Sequence, residues 1–229
     1  MIGGLKVMAR ITWLGHAAFQ IELVDKVVLI DPWIGNPKSP LRLIDVSKVD
    51  IVYVTHDHGD HLGEAIEICK STGATFVATY ELGNYVAKRG VKKVIGANIG
   101  GSIQVGDVKL RLVQAFHTAS KGAPTGVIVE GEGRSIYHAG DTGLFGDMHL
   151  IGELYKPDMA LIPIGGYYTM GPEEAAEAVK LIRPKMVIPM HYGTFPVLVQ
   201  SPDDFVEKVR ERAPGVKVIV LNPGESYEF

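Results

Sequence analysis

The chain has 229 residues, 46% hydrophobic and 21% charged, enough to bury one large core or two modest ones and too apolar for a disordered protein. Formal charge is -3 and no run of Lys or Arg exceeds two residues, which excludes an extended nucleic-acid groove built on long-range charge but leaves room for a small anionic ligand. The single cysteine, Cys69, cannot form an intramolecular disulfide, the first ten residues lack a signal-peptide core, and no stretch approaches the roughly 18 apolar residues of a membrane span; a soluble cytoplasmic protein is expected.

In chain order, Ala9 to Gly15, Ala18 to Leu23 and Val27 to Ile30 resemble strands, with Val24-Asp25-Lys26 turning the chain between the last two. Asp50 to Thr55 is an apolar, β-branched run that predicts a strand buried on both faces. Helices are predicted at Gly63 to Ser71, with Cys69 on the apolar face, and at about Glu81 to Arg89, ending at Gly90. Thr75 to Thr79, Lys93 to Ile95, Ser102 to Val105 and Val108 to Val113 read as further strands, the last two joined by a hairpin at Gly106-Asp107. The second half adds strands at Gly126 to Glu130, Ser135 to His138, Met159 to Ile164, Met186 to Pro189 and Val216 to Val220. Its helices fall at Asp147 to Tyr155, Pro172 to Ile182 and Pro202 to Arg212, where the prolines and the acidic pairs after them suit first helical turns. So many strands outgrow one twisted sheet. The expectation is one α/β domain over residues 1–229, with two sheets inside and helices outside.

The densest chemical signal is His56-Asp57-His58-Gly59-Asp60-His61, five residues able to ligate a metal and one glycine, at the carboxyl end of the predicted Asp50 to Thr55 strand. In an extended turn residues two apart face the same way, so His56 and His58 can serve one ion, while Asp57 points the other way. Asp60 and His61 follow the glycine and could serve a second ion; the bland alternative is a polar loop with Asp60 as a helix N-cap. His117, Asp141 and His191 each follow a predicted strand as well. Singly, such residues are ordinary solvated side chains; together they form a pattern.

That pattern, Thr55-His56-Asp57-His58-Gly59-Asp60-His61, then His117, Gly140-Asp141-Thr142 and His191, resembles the metallo-β-lactamase-fold hydrolases over nearly the whole chain. The resemblance implies a four-layer αββα sandwich of two mixed sheets with a dinuclear site at one edge. It implies that His56, His58 and His117 bind the first metal, that Asp60, His61 and His191 bind the second, and that Asp141 bridges both. Thr12-Trp13-Leu14-Gly15-His16, Asp31-Pro32 and Ile162-Pro163-Ile164-Gly165 look like a branch similar to N-acyl-phosphatidylethanolamine phospholipase D and ascorbate-6-phosphate lactonase. The similarity to the lactonase implies a homo-oligomer.

The chemistry has its own logic. Two divalent ions about 3.5 to 4 Å apart repel, so an anionic bridge such as Asp141 is needed, and a water shared by both ions becomes hydroxide near neutral pH, the expected nucleophile. Neutral imidazoles leave the ions Lewis-acidic; the nitrogen and oxygen donors suit zinc or manganese, with iron, cobalt or nickel as further choices. Asp60 and His16 are the expected catalytic residues, His16 binding substrate, assisting a leaving group or hydrogen-bonding a ligand. Asp31 is expected to orient a ligand histidine. Tyr167, Tyr168 and Thr194, on the loops after Ile164 and His191, are candidate contacts to a small, anionic substrate. His138 is expected to be structural and His149 to lie on the surface. The leading expectation is hydrolysis of a phosphodiester or phosphorylated small molecule, followed by a lactone or amide. A mononuclear iron dioxygenase using His56, His117 and Asp141, and a non-catalytic metal-stabilised scaffold, are the alternatives.

Overall fold

The computed structural model describes residues 9–229, and its strands follow the alternation of the sequence. β1 (Arg10–Trp13), β2 (Phe19–Leu23) and β3 (Lys26–Ile30) form an antiparallel meander, to which β4 (Ile51–Tyr53), β5 (Thr75–Thr79) and β6 (Val94–Ala97) add in parallel. The second sheet repeats that plan. β7 (Ser102–Val105), β8 (Val108–Gln114), β9 (Thr125–Gly131) and β10 (Arg134–His138) are antiparallel, followed in parallel by β11 (Met159–Pro163), β12 (Met186–Met190) and β13 (Lys217–Val218). The last strand, β14 (Ser226–Glu228), returns to pair with β1, so each sheet has seven strands.

Because side chains alternate along a strand, neighbouring residues enter different cores. Val28, Ile30, Ile51, Tyr53 and Val77 share a core with Leu110, Val127 and Ile136 of the second sheet. Leu29, Val52, Phe76 and Ala78 join an outer core with residues of α2 (Ala65–Thr72) and α3 (Tyr80–Ala87). Burying each such aliphatic side chain is worth roughly 1.5–3 kcal/mol. On the other side α4 (Met148–Tyr155), α5 (Pro172–Ile182) and α6 (Asp203–Arg212) pack through Ile151, Val179 and Phe205. The result is an α/β sandwich of two mixed sheets with helices outside. No helix among the described residues is long and apolar enough to cross a membrane.

Several boundaries differ from expectation for local reasons. The helix expected from Gly63 is instead a short α1 (Gly59–Leu62), then α2, broken at Gly63 with φ 41°. A Cβ on Gly63 would lie 2.5 Å from Cα of Trp33 and 2.6 Å from the carbonyl of Pro32, so only glycine lets the loop pack there. Asp60 sits inside α1, whose N-cap is His58, and is not a cap itself. Of the strand expected over Val216 to Val220, only Lys217–Val218 pairs. β14 was not expected, being three residues of polar character. Cys69 is buried against the outer core, and burial pushes its thiol up to about 12, so it is inert.

Candidate metal centre

The loop after β4 leaves the sheet extended, and His56 and His58 face the same side, with His56 Nε2 2.9 Å from His58 Nδ1. The His117 ring, three residues beyond β8, lies 5.0 Å from the His56 ring and 5.1 Å from that of His58. One donor atom from each of the three falls within 4.8 Å of the others. α1 then reverses the chain and presents Asp60 and His61 to His191, which follows β12; these three and His16 form a second group of the same tightness. Asp141, just after β10, lies between the groups. Its Oδ1 is 3.3 Å from His61 Nε2, and its Oδ2 is 3.1 Å from His191 Nε2 and 3.5 Å from His117 Nε2.

Buried hydrogen bonds hold these groups. Asp31 is fully buried at the end of β3 and accepts three bonds: Thr55 N–H at 2.7 Å, the Thr55 hydroxyl at 2.7 Å and His61 Nδ1–H at 2.7 Å. The Thr55 oxygen in turn accepts from His56 Nδ1–H at 3.0 Å. One carboxylate therefore orients a histidine of each group, leaving both Nε2 atoms for the centre. His16, also fully buried, donates Nε2–H to Asp60 Oδ2 at 3.1 Å and accepts from the Thr194 hydroxyl at Nδ1, 2.6 Å away. Asp57 faces outward, accepting from Ser120 N–H at 2.7 Å and so tethering the His117 loop. His138 is buried within β10; its Nε2–H donates to the carbonyl of Ala17 and its Nδ1 accepts from Gly140 N–H, joining the His16 loop to the Asp141 turn. His149 bonds to the carbonyl of Gly146, away from the site.

Backbone strain concentrates here. His16, Asp31 and His191 adopt left-handed φ angles of 53°, 47° and 59°, a conformation that costs a non-glycine residue about 1 kcal/mol or more. The His16 and His191 turns are locked together, since His191 N–H donates to the carbonyl of His16. Gly165 completes the packing: a Cβ there would lie 2.4 Å from the carbonyl oxygen of His191 and 3.1 Å from its Nδ1.

Electrostatics prepares the donors. Burial, reinforced by the neighbouring His61, pushes His56 down to about 2, and burial pushes His16 down to about 4 against its hydrogen bond to Asp60; both rings are neutral. Burial also lowers His117. Burial would raise the Asp60 carboxyl, but the His16 hydrogen bond and the charge of His61 outweigh it and hold Asp60 ionised. Asp141 is likewise held well below the usual carboxylate range by His191 and His61, in spite of burial. His61 is the exception: burial lowers it, yet Asp141 and Asp31 together raise it well above the ordinary histidine value.

The donor set fits divalent metal ions. His61 Nε2, Asp141 Oδ1 and His191 Nε2 are buried with no hydrogen-bond partner, a costly arrangement for polar atoms unless a cation engages them. A cavity of about 770 Å³ opens onto the cluster. It is lined by His58, Asp60, His117, Asp141 and His191 together with Trp33, Tyr168, Phe195, Pro196 and Val197.

The comparisons with known proteins agree. The family model described as "Beta-lactamase superfamily domain" matches residues 10–191. A UPF0173 metal-dependent hydrolase of Caldivirga maquilingensis is 53% identical over 220 residues, covering 95% of this chain and 97% of the relative. The chain belongs to the metallo-β-lactamase-fold metal-dependent hydrolase family. A family member of Thermofilum pendens is 52% identical over 229 residues, covering 97% of this chain and 100% of its own. Among solved structures, Igni18, a metallo hydrolase from Ignicoccus hospitalis, superposes with TM-score 0.92 at 45% identity, covering 97% of this chain and 99% of that one.

Within this family frame, the seven residues expected as ligands, His56, His58, Asp60, His61, His117, Asp141 and His191, come together at one edge of the sandwich. Of the readings expected for His16, hydrogen-bonding a ligand is the arrangement present: its Nε2–H is held by Asp60, and it is not among the residues lining the cavity. Two other expectations are corrected. Thr194 turns its hydroxyl onto His16 instead of a substrate. Tyr167 is 71% exposed and packs edge-on against Tyr168; only Tyr168 lines the cavity. Trp33 and Val197 were not singled out by the sequence, since lone apolar residues in loops carry no period.

Proposed function

We propose that the protein is a dinuclear metal-dependent hydrolase acting on a phosphodiester. His56, His58 and His117 would hold one ion, Asp60, His61 and His191 the other, with Asp141 shared. The observation that carries this reading is the position of the Asp141 carboxylate, within 3.5 Å of imidazoles from both groups. Bound there, two divalent ions, zinc or manganese first by donor type, supply Lewis acidity and a hydroxide at neutral pH.

The chain's own residues do the rest. Asp60, kept ionised by His16 and His61, faces the cavity and can accept a hydrogen bond from an attacking water, fixing its direction. His16 stops Asp60 from rotating, and Thr194 fixes the His16 tautomer. Trp33 and Phe195 flank His16 and keep bulk water from it.

A second reading, hydrolysis of a lactone or amide, is favoured by one observation: among the described residues lining the cavity none is Lys or Arg. That lack argues against a dianionic phosphate monoester, whose charge calls for a cationic clamp, more than against a singly charged diester. The deciding experiment is turnover of bis-p-nitrophenyl phosphate, a lactone and a β-lactam, before and after chelation and with zinc or manganese restored. Metal-dependent turnover of the diester is expected; turnover of the lactone alone transfers the assignment to the second reading. A single iron per chain would point to an oxygenase, and chelation that lowers thermal stability with no activity lost would point to a scaffold.

Metal loading should also release protons. His61, raised by Asp141 and Asp31, carries a proton at pH 7 in the metal-free protein, and a ligand histidine must give it up. Zinc titration in buffers of different ionisation enthalpy is expected to show about two protons released at full loading, one from His61 and one from the water that becomes hydroxide, with affinity rising about tenfold per pH unit around neutrality. Release of the water proton alone would mean that His61 stays out of the centre.

A further inference from the structure

We infer that Trp33, Phe195, Val197 and Tyr168 form an apolar subsite beside the metal centre that takes an aryl or alkyl substituent of the substrate. The inference rests on the hydrolytic reading above, and names the class of substrate it serves.

Trp33 and Phe195 come from loops at opposite ends of the sequence, yet their rings stack at 5.6 Å with planes 22° apart. Both rings also pack nearly perpendicular to that of His16, at 5.2 and 5.4 Å, so the pair forms a fixed wall. Val197 and Tyr168 line the same cavity and are 53% and 54% exposed. Large apolar side chains left open beside polar, ionised ones mark a place that a ligand covers. Asp60, His117 and His191 line the same cavity, so a group held by the wall would leave its neighbouring phosphoryl or carbonyl close to the centre. A cavity of about 770 Å³ has space for far more than a phosphate. No Lys or Arg lines it among the described residues, so recognition of the distal part of the substrate falls to apolar contact.

The test uses metal-loaded protein and two probes that share one head group, methylphosphonate and phenylphosphonate, with binding measured by calorimetry. Phenylphosphonate is expected to bind at least about tenfold more tightly, a modest return for burying one ring. Phe195→Ala should remove most of that advantage. Because Phe195 also touches His16, Val197→Asp is the second variant: it lies at the rim, leaves the His16 contacts intact, and should cut the advantage to about threefold or less. Equal affinity of the two probes for the unmodified protein overturns the subsite. A parallel comparison of methyl and phenyl p-nitrophenyl phosphate separates the two proposals. If phenylphosphonate is preferred but neither diester is hydrolysed, the subsite stands and the phosphodiester reading falls. If both diesters are hydrolysed at equal kcat/KM and the phosphonates bind equally, the reaction stands and the subsite falls.

Discussion

Asp141→Asn is expected to lower kcat/KM on bis-p-nitrophenyl phosphate by about a thousandfold or more and to leave at most one tightly held ion per chain. The change is nearly isosteric, so its effect isolates charge. In the native protein both carboxylate oxygens are used, Oδ1 toward His61 and Oδ2 toward His191 and His117. An amide keeps one oxygen for one group and turns an N–H₂ toward the other, where it can ligate nothing. It also removes the charge that Asp141 sets between the two groups, and two cations held that close repel strongly without an anion between them. About 4 kcal/mol of lost stabilisation corresponds to the thousandfold expected. Metal content by elemental analysis and kcat/KM measured on the same preparation check the prediction. A variant that keeps two ions and near-native turnover would remove Asp141 from the shared position and with it the dinuclear reading.

How much of this was legible in the chain depends on how locally each feature is encoded. The run His56 to His61 is self-announcing, because a strand leading into so many ligand types has no packing explanation. The sheets were legible for a similar reason: a short apolar, β-prone run such as Val27 to Ile30 or Thr75 to Thr79 is a property of a few adjacent residues. The meeting of His117, Asp141 and His191 with that run was legible only through the family resemblance, since a strand end says where a residue sits but not what it faces. Other relations had no local trace. Thr194 and His16 are 178 positions apart, and nothing in the loop around Thr194 marks its hydroxyl for an imidazole rather than a substrate. Tyr167 and Tyr168 looked alike because they are adjacent, and only the path of the backbone decides which of two neighbours faces the cavity. β14 was missed because three residues are too few for a period, and its pairing with β1 joins the two ends of the described chain.

Asp31 carries the second large expected effect. Asp31→Asn should destabilise the metal-free protein by about 3 kcal/mol and weaken zinc binding by roughly 10- to 100-fold. Three donors converge on this carboxylate, two of them on Oδ2 and one on Oδ1. An asparagine has one acceptor oxygen and one donor nitrogen, so either orientation sets donor against donor. With the amide nitrogen in place of Oδ1 it opposes Thr55 N–H, which cannot turn away. With the nitrogen in place of Oδ2 it opposes His61 Nδ1–H and forces the Thr55 hydroxyl to rotate, disturbing its acceptance of His56 Nδ1–H as well. The residue is fully buried, so water cannot repair the mismatch. In a domain of this size about 3 kcal/mol lowers the melting temperature by about 6–12 °C. Asp57→Asn supplies the control: it makes the same chemical change in the same neighbourhood, but Asp57 accepts only Ser120 N–H near the surface and an amide oxygen can do the same. Its expected cost is under about 1 kcal/mol. Thermal melts of the metal-free proteins and competitive zinc titrations compare the two. Equal melting points and equal affinities would show that the orientation of His56 and His61 does not depend on Asp31, and the hydrogen-bonded support proposed for both halves of the centre would have to be sought elsewhere.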